Sequence, residues 1–533
     1  MAGLPHLPGV TLNLNDLGLK IAPPPAGPKV TLLGITSNTD VPKLEPLTVT
    51  NVGKVTSALW LSGAGGHTVR WPSELAIAVE EAAAAGAPHI EIMVIEHAGS
   101  TNLQETEGVG SEHPNEVFSS PTHRHGINTR YWALSGAYET LKQGDLTIVH
   151  PVNAWADATG LGSKNFGKQL ADFCHQASKD VDNAVIGVLP LMNPVEWALC
   201  YKDDLTAAGV SWQAELDSIV GIDDTTFGIP SIALVNEWVE YVTQHPDNHA
   251  PPATINSTAE NFPASFANYL AGSEDTSSNF FPLDDENSAT DVNPAYFTAG
   301  EAGWQATNTD NTAATDQKGN KVDAGRRISI FAAPLVTKTS GIKKLAANLG
   351  ASLANSIHNT NGAAAYAGKI CSLAPQSAPT NKPIVNIKPS RPLSPAQANR
   401  ITARRITTMH NRATGFVVSS AVTGAHHVSR YVRSDFVRLT TIRIVDAVVD
   451  IVRAVSDKYI GEPNTASARN ALSNEIEKFL KQMRVANALN GWKMFISATP
   501  DQQVLGEATI DLTLVPAFEL VKIEANISLA KQI

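Results

Sequence analysis

The sequence predicts an α/β protein of several domains, turning to α+β in its C-terminal domain. Three observations carry this reading. Apolar strand-like runs alternate with helical stretches through roughly the first 200 residues, the rhythm of β-α-β units. The last 140 residues or so place two long helices ahead of alternating strands. The chain has 533 residues, room for several domains of about 100–200 residues each.

Residues 1–29 hold six prolines around the short alternating run Val10, Leu12 and Leu14. They read as an extended N-terminal arm. Residues 30–100 form the first part of an α/β core. Val30 to Ile35 is a buried strand. Ser73 caps a helix that runs from Glu74 through an Ala-rich stretch to Gly86, with Pro88 as a stop. Ile90 to Ile95 is the next strand. Residues 101–200 repeat the rhythm as a middle domain. A helix near Tyr138 to Lys142 precedes the strand Leu146 to Val149. A second, near Phe166 to Ser178, precedes Val185 to Leu189.

Residues 201–325 break the pattern. Within them Gly272 to Asp323 carries ten acids against two lysines, and the segment reads as an acidic, loop-rich outer lobe. Residues 326–393 return to the core through the strand Ile328 to Ala332 and a helix around Lys343 to Ile357. They end in a linker with five prolines after position 374.

Residues 394–533 form the C-terminal domain. Ser394 before Pro395 marks a helix start. Phe416 to Ser420 reads as a strand. A long helix follows from Asp435 to Lys458. At about 100° per residue, Arg443, Asp446, Asp450, Arg453 and Asp457 share one narrow face, so most of the circumference must be buried. Gly461 and Pro463 end this helix. Leu472, Ile476, Phe479, Leu480 and Met483 mark an amphipathic helix closed by Gly491. Three alternating strands complete the chain. They carry Trp492, Met494 and Ile496, then Ala508, Ile510, Leu512 and Leu514, then Val521, Ile523, Ala525, Ile527 and Leu529.

Hydrophobic residues make up 43% of the chain, an ordinary share, and charged residues only 17%. The net charge of −11 argues against a chain-wide nucleic-acid binder, which needs a basic footprint. Three widely spaced cysteines, Cys174, Cys200 and Cys371, offer neither a disulfide framework nor a zinc motif. No apolar run reaches about 18 residues, so no membrane insertion is expected. No basic stretch leads into an apolar one at the start, so no signal peptide is expected and the reading is a soluble protein made in a reducing cytoplasm. The charge is uneven. Residues 381–460 hold 13 Lys and Arg against four Asp, a balance of +9 inside a chain that is otherwise −20. Such a segment reads either as a basic face for an acidic partner or as arginines satisfied within the domain. Its arginines include Arg400, Arg404, Arg405, Arg412, Arg430, Arg433 and Arg438.

Catalytic motifs are weak. Gly160, Gly162 and Gly167 lack the spacing and the preceding strand of a dinucleotide fingerprint. Gly63-Ala64-Gly65-Gly66-His67 reads as a turn. No P-loop, GxSxG elbow or HExxH occurs. His113, His123 and His125 have no cysteine to complete a zinc set and read as a polar loop. His426 and His427 read as structural. The acids at Asp284, Asp285 and Glu286, and those from Asp310 to Asp323, miss the EF-hand order. The expectation is no enzyme, no cofactor and no metal.

The C-terminal segment runs from Tyr431-Val432-Arg433 into Ile442-Arg443-Ile444-Val445-Asp446, then Glu462-Pro463-Asn464, then the helix ending in Ala488-Leu489-Asn490-Gly491. In this order it resembles the contractile tail sheath family of bacteriophages and related injection machines. Ile510-Asp511-Leu512-Thr513-Leu514-Val515-Pro516, followed by an alternating strand, is also similar. So are Pro8-Gly9-Val10 at the start, Gly34, and the region Pro42 to Val49. The family's Gly-x-Arg-Thr is replaced here by Ser420-Ala421-Val422-Thr423-Gly424.

The resemblance implies a structural subunit that stacks as hexameric, homo-oligomeric rings around a tail tube. It also implies contraction that drives the tube through a host envelope for genome ejection. Implied partners are the tail tube protein and the baseplate and tail terminator proteins. The implied location is the virion, after assembly in the host cytoplasm. Terminal arms would link subunits by strand addition, through Val10, Leu12 and Leu14 at one end and Val521, Ile523, Ala525 and Ile527 at the other. The seven arginines named above would be the tube-facing candidates. The same residues also suit the sheath of a bacteriocin or cellular injection system. The remaining alternatives are another self-assembling virion protein, such as a tube or capsid subunit, and an unrecognised α/β enzyme.

Overall fold

A computed structural model describes residues 28–36, 38–62, 70–97, 134–142, 146–152, 154–156, 166–180, 184–191, 306–308, 312–314, 322–337, 358–389, 391–403, 405–413, 415–425 and 435–520. The N-terminal alternating run, most of the outer lobe, the helix expected near Lys343 to Ile357 and the last alternating strand lie outside the described residues.

The run Val30 to Ile35 becomes the strand Lys29–Thr36, an interior strand of a seven-stranded sheet. The sheet order is Ile406–Thr407, Ile328–Phe331, Ile186–Pro190, Ile148–Pro151, Lys29–Thr36, His89–His97 and Leu47–Thr48. All neighbours pair parallel except the last strand, which runs antiparallel to His89–His97. Parallel strands need covered faces, and their near-continuous apolar composition reflects that. Here both faces are covered. Ile186 and Val188 belong to the core shared with the helix Ala363–Cys371. Between them Gly187 points the other way, where an added Cβ would lie 2.6 Å from Leu170 on the helix Phe166–Asp180.

Local chemistry sets the elements. Ser73 accepts a hydrogen bond from the Ala76 amide and caps the helix Glu74–Ala84, as its position before Glu74 predicts. Such a cap is worth about 1 kcal/mol. This helix packs on Ala363–Cys371, whose Ala-rich composition lets the backbones approach closely. At Gly368 a Cβ would meet the Ala82 carbonyl oxygen at 2.5 Å, so only glycine fits the crossing. The helix Ala363–Cys371 is buried nearly throughout and was not legible in the sequence reading. The presumed linker after position 374 is also more than a linker. Its residues Ile387–Pro389 add an edge to a three-stranded antiparallel sheet with Leu335–Thr337 and His358–Thr360.

In the C-terminal part, Ser394 and Gln397 exchange backbone and side-chain hydrogen bonds, a capping box that opens Pro395–Ala403. Gly415–Val418 pairs with Met409–Arg412 as a hairpin. The long helix is Leu439–Ser456, with short 3₁₀ turns on both flanks. Ala466–Val485 is the second helix. It ends at Asn487, which takes a positive φ of 58°, and not at Gly491 as the sequence suggested. Gly491 lies instead at an irregularity in the ribbon formed by Leu489–Ser497 and Thr509–Pro516. Trp492, Met494, Ile496, Ile510, Leu512 and Leu514 pack that ribbon on the two helices. The long helix belongs to both cores. Leu439 and Ile442 enter the sheet core, while Ile444, Val448 and Val455 enter the C-terminal one.

Candidate assembly surface

Only part of the polar stripe of the long helix meets solvent. Arg443 is buried and donates to the carbonyl oxygens of Leu373 at 2.6 Å and Ala374 at 3.2 Å, with Ser377 at 3.5 Å. These carbonyls follow the end of the helix Ala363–Cys371, where the backbone dipole favours a cation. Burial pulls the Arg443 guanidinium down to about 10, against the opposing influence of Cys371, Tyr366 and Asp446. One turn on, Asp446 receives a two-oxygen contact from Arg327. Of the remaining members of the stripe, Asp450 and Asp457 are exposed and Arg453 is half-buried. The stripe therefore docks the C-terminal unit onto the sheet at its first half and meets water at its second.

The predicted basic residues divide by position. Arg400 is exposed in the last turn of Pro395–Ala403. Arg412 is exposed on the hairpin, and its Nε donates to His410 Nε2 at 3.0 Å. The imidazole of His410 is held below its usual pKa, first by burial and then by Arg412. Arg405 is half-buried at a left-handed φ of 63°, and Arg438 is half-buried at the start of the long helix. Arg404, Arg430 and Arg433 lie outside the described residues. So do Val10, Leu12, Leu14, Val521, Ile523, Ala525 and Ile527, and the histidines at 113, 123, 125, 426 and 427.

The second feature is the C-terminal ribbon. Among the described residues it consists of two strands. One face is apolar and packed. On the other, Phe495 is 63% exposed beside Asp511, and Val515 is exposed opposite Gly491. Phe518 and Leu520 continue the exposed apolar residues past the second strand. Glu519, between them, turns inward to Thr440 and Thr380. Sequence reasoning missed Glu519, although a single acid within Ala517-Phe518-Glu519-Leu520 is an available signal.

Buried titratable groups elsewhere serve the core. Tyr366 stacks on Phe331 and shares hydrogen bonds with Ser329 and Thr407, and its phenol is pushed up to about 12 by burial. The Cys371 thiol is likewise pushed to about 12 by burial, and Cys174 is raised further still. Such thiols stay protonated and unreactive. Among the described residues no cluster of three His, Cys, Asp or Glu could hold a metal ion, and no helix is long and apolar enough to cross a membrane.

No known family profile matches the chain, and no curated protein matches it. Solved structures do. The sheath complex of the extracellular contractile injection system PVC, in its contracted state, is 12% identical. It aligns over 99% of this chain and 99% of its own, with a TM-score of 0.49. The baseplate structure of the anti-feeding prophage, 6-fold symmetrised, contains a chain 9% identical. That alignment covers 99% of this chain and 100% of the other, at a TM-score of 0.49. A sheath tail protein of Desulfitobacterium hafniense is 15% identical over 36% of this chain and 46% of its own, at 0.26.

Proposed function

We propose that this chain is a non-enzymatic structural subunit of a contractile sheath. It polymerises as stacked hexameric rings around a tube, and contraction of the lattice drives the tube through a target envelope. The observation that carries the reading is the ribbon Leu489–Ser497 and Thr509–Pro516, packed on one face and carrying exposed apolar side chains on the other and beyond its end. A two-stranded ribbon is a natural acceptor for an added strand. The sequence supplies alternating segments of the right kind at Val10, Leu12 and Leu14 and at Val521, Ile523, Ala525 and Ile527. Those segments are the proposed links between copies. The similarity of both chain ends to the tail sheath family supports the same reading.

Contraction would need no nucleotide, in keeping with a chain that shows no P-loop in its sequence. The extended lattice would lie above the contracted one in free energy, with the subunits moving as bodies while the links hold. The tube would meet the basic segment, with Arg400 and Arg412 as its exposed described members and Arg404, Arg405, Arg430, Arg433 and Arg438 as the further candidates. Baseplate and terminator proteins would cap the two ends. The assembled particle is either a phage virion, with subunits made in the host cytoplasm, or a bacteriocin-like or cellular injection system. The acidic segment 201–325 would supply the outer lobe, except for Ala306, Ala314 and Val322 to Gly325, which are buried, and Thr307, which bonds to Asp172 on the helix Phe166–Asp180.

Electron microscopy of the purified full chain tests the reading. Hollow tubes or stacked rings are expected, and discrete globular particles under all conditions would overturn it. A variant lacking residues 1–20 should stay folded and soluble yet fail to polymerise. Normal tubes from that variant would remove the arm from the mechanism.

A further inference from the structure

Glu519 follows the ribbon's second strand, in the run Ala517-Phe518-Glu519-Leu520. Its neighbours face solvent, Phe518 at 48% and Leu520 at 78% exposure, while the acid is half-buried. That is the reverse of the order hydration alone selects. The contacts account for it. Thr440 Oγ1 donates to Glu519 Oε1 at 2.6 Å, and Thr380 Oγ1 donates to Oε2 at 3.3 Å. Thr440 lies in the first turn of Leu439–Ser456, which has no acid in that turn and no side-chain cap at Arg438. Glu519 therefore brings a negative charge from 79 residues away to the positive end of an 18-residue helix. Thr380 in turn accepts from the Ala421 amide at 3.0 Å, so one carboxylate ties the tail to the segments around 380, 421 and 440. Just before it, the Ala517 amide donates to the Ala488 carbonyl at 2.9 Å.

We propose that Glu519 is a clasp, a positioning residue that fixes the segment Ala517 to Leu520, and with it the point at which residues 521–533 begin, against the long helix. Its consequence rests on the sheath reading: copies joined through those residues assemble in register only while the clasp is closed. Its geometry does not. A charge-assisted pair of hydrogen bonds is strong enough to hold the segment Ala517 to Leu520 in one place. It is also local enough to be removed without dismantling either core.

The test uses the full chain as wild type, Glu519→Ala, Glu519→Gln and Val455→Ala. The last variant is a destabilised control in the second core, where Val455 is buried. Trypsin cleavage after Lys522 reports the opening of the clasp, and electron microscopy reports tube length and regularity. Glu519→Ala should be cut about ten-fold faster than wild type, as expected for losing hydrogen bonds to a charged group. Glu519→Gln should fall between the two. Tubes of Glu519→Ala should be short or irregular, while Val455→Ala tubes stay regular. Unchanged cleavage, or Glu519→Ala tubes as regular as wild type, overturns the clasp. Wild type that forms no tubes overturns the sheath reading instead, and the cleavage rates still decide the clasp.

Discussion

Arg327 and Asp446, 119 residues apart, form a shielded ion pair in which one guanidinium nitrogen lies 2.6 Å from Oδ1 and 2.7 Å from Oδ2. Arg327 ends the 3₁₀ turn that leads into the sheet strand Ile328–Phe331, and Asp446 belongs to the long helix. The pair therefore links the two cores. Removing one partner of a buried pair strands the other charge, at a cost of about 3–5 kcal/mol. Asp446→Ala should lower the unfolding free energy by roughly that amount, and Arg327→Met with Asp446→Leu should lower it less than Asp446→Ala alone. Chemical denaturation of wild type, Arg327→Met, Asp446→Leu and their combination closes the cycle, and Asp446→Ala is measured beside them. Additive losses would remove the pair from the link between cores.

The crossing at Gly368 makes a sharper steric demand. A Cβ there would lie 2.5 Å from the Ala82 carbonyl oxygen and 2.8 Å from its Cα, both backbone atoms that cannot rotate away. Gly368→Ala should cost about 1–3 kcal/mol, although alanine favours a helix. The denaturation midpoint of the variant gives the answer, and a stabilised protein would refute the crossing.

Acid sensitivity has a specific source at His150. The ring is buried in the strand Ile148–Pro151, with Nδ1 2.9 Å from the Val188 carbonyl oxygen. Burial lowers its pKa from 6.5 to about 4, against the raising effect of that hydrogen bond. Between those values the unfolded chain binds the proton and the folded protein does not. Stability from this group is therefore full above pH 6.5 and is lost as pH falls toward 4. The loss is about 3 kcal/mol at most. Replacing His150 with Asn should flatten the stability profile between those limits relative to wild type. Equal slopes in the two proteins would show that other groups carry the dependence.

These features differ in how far the sequence announces them. The strands and helices built on local signals were legible: Ser73 before Glu74, the alternation from Trp492 to Ile496, and the apolar run Val30 to Ile35. The helix Ala363–Cys371 was not. It is buried at every residue but Lys369, and one lysine makes no polar face from which a period could be read. The buried roles of Arg443 and Asp446 escaped for another reason. A polar stripe on an apolar helix looks the same whether it meets water or another domain's carbonyls, and only tertiary contacts distinguish the two. Glu519 escaped because its partners, Thr380 and Thr440, are distant in sequence. The basic segment was legible as charge, but the division between exposed Arg400 and Arg412 and half-buried Arg405 and Arg438 is set by packing.

That division makes the tube-contact proposal specific. Arg400 and Arg412 lie on the helix Pro395–Ala403 and the hairpin that follows it, both exposed. A sheath must hold its tube and yet release it on firing. An apolar grip along a cylinder would be hard to undo, whereas exposed ion pairs are worth about 0–1 kcal/mol each and weaken with salt. Repeated around each ring, they would position subunits without locking them. Arg400→Glu with Arg412→Glu should lower the isolated subunit's unfolding free energy by no more than about 1–2 kcal/mol, because both side chains are exposed and Arg412 gives up one hydrogen bond to His410. The same variant should coat purified tubes poorly, because two attractive contacts per subunit become repulsive. Raising salt should detach wild-type sheath from tubes before it unfolds the subunit. Co-sedimentation with tubes across a salt series measures both effects. Undiminished coating by the double variant would place the tube contact on some other surface of the subunit.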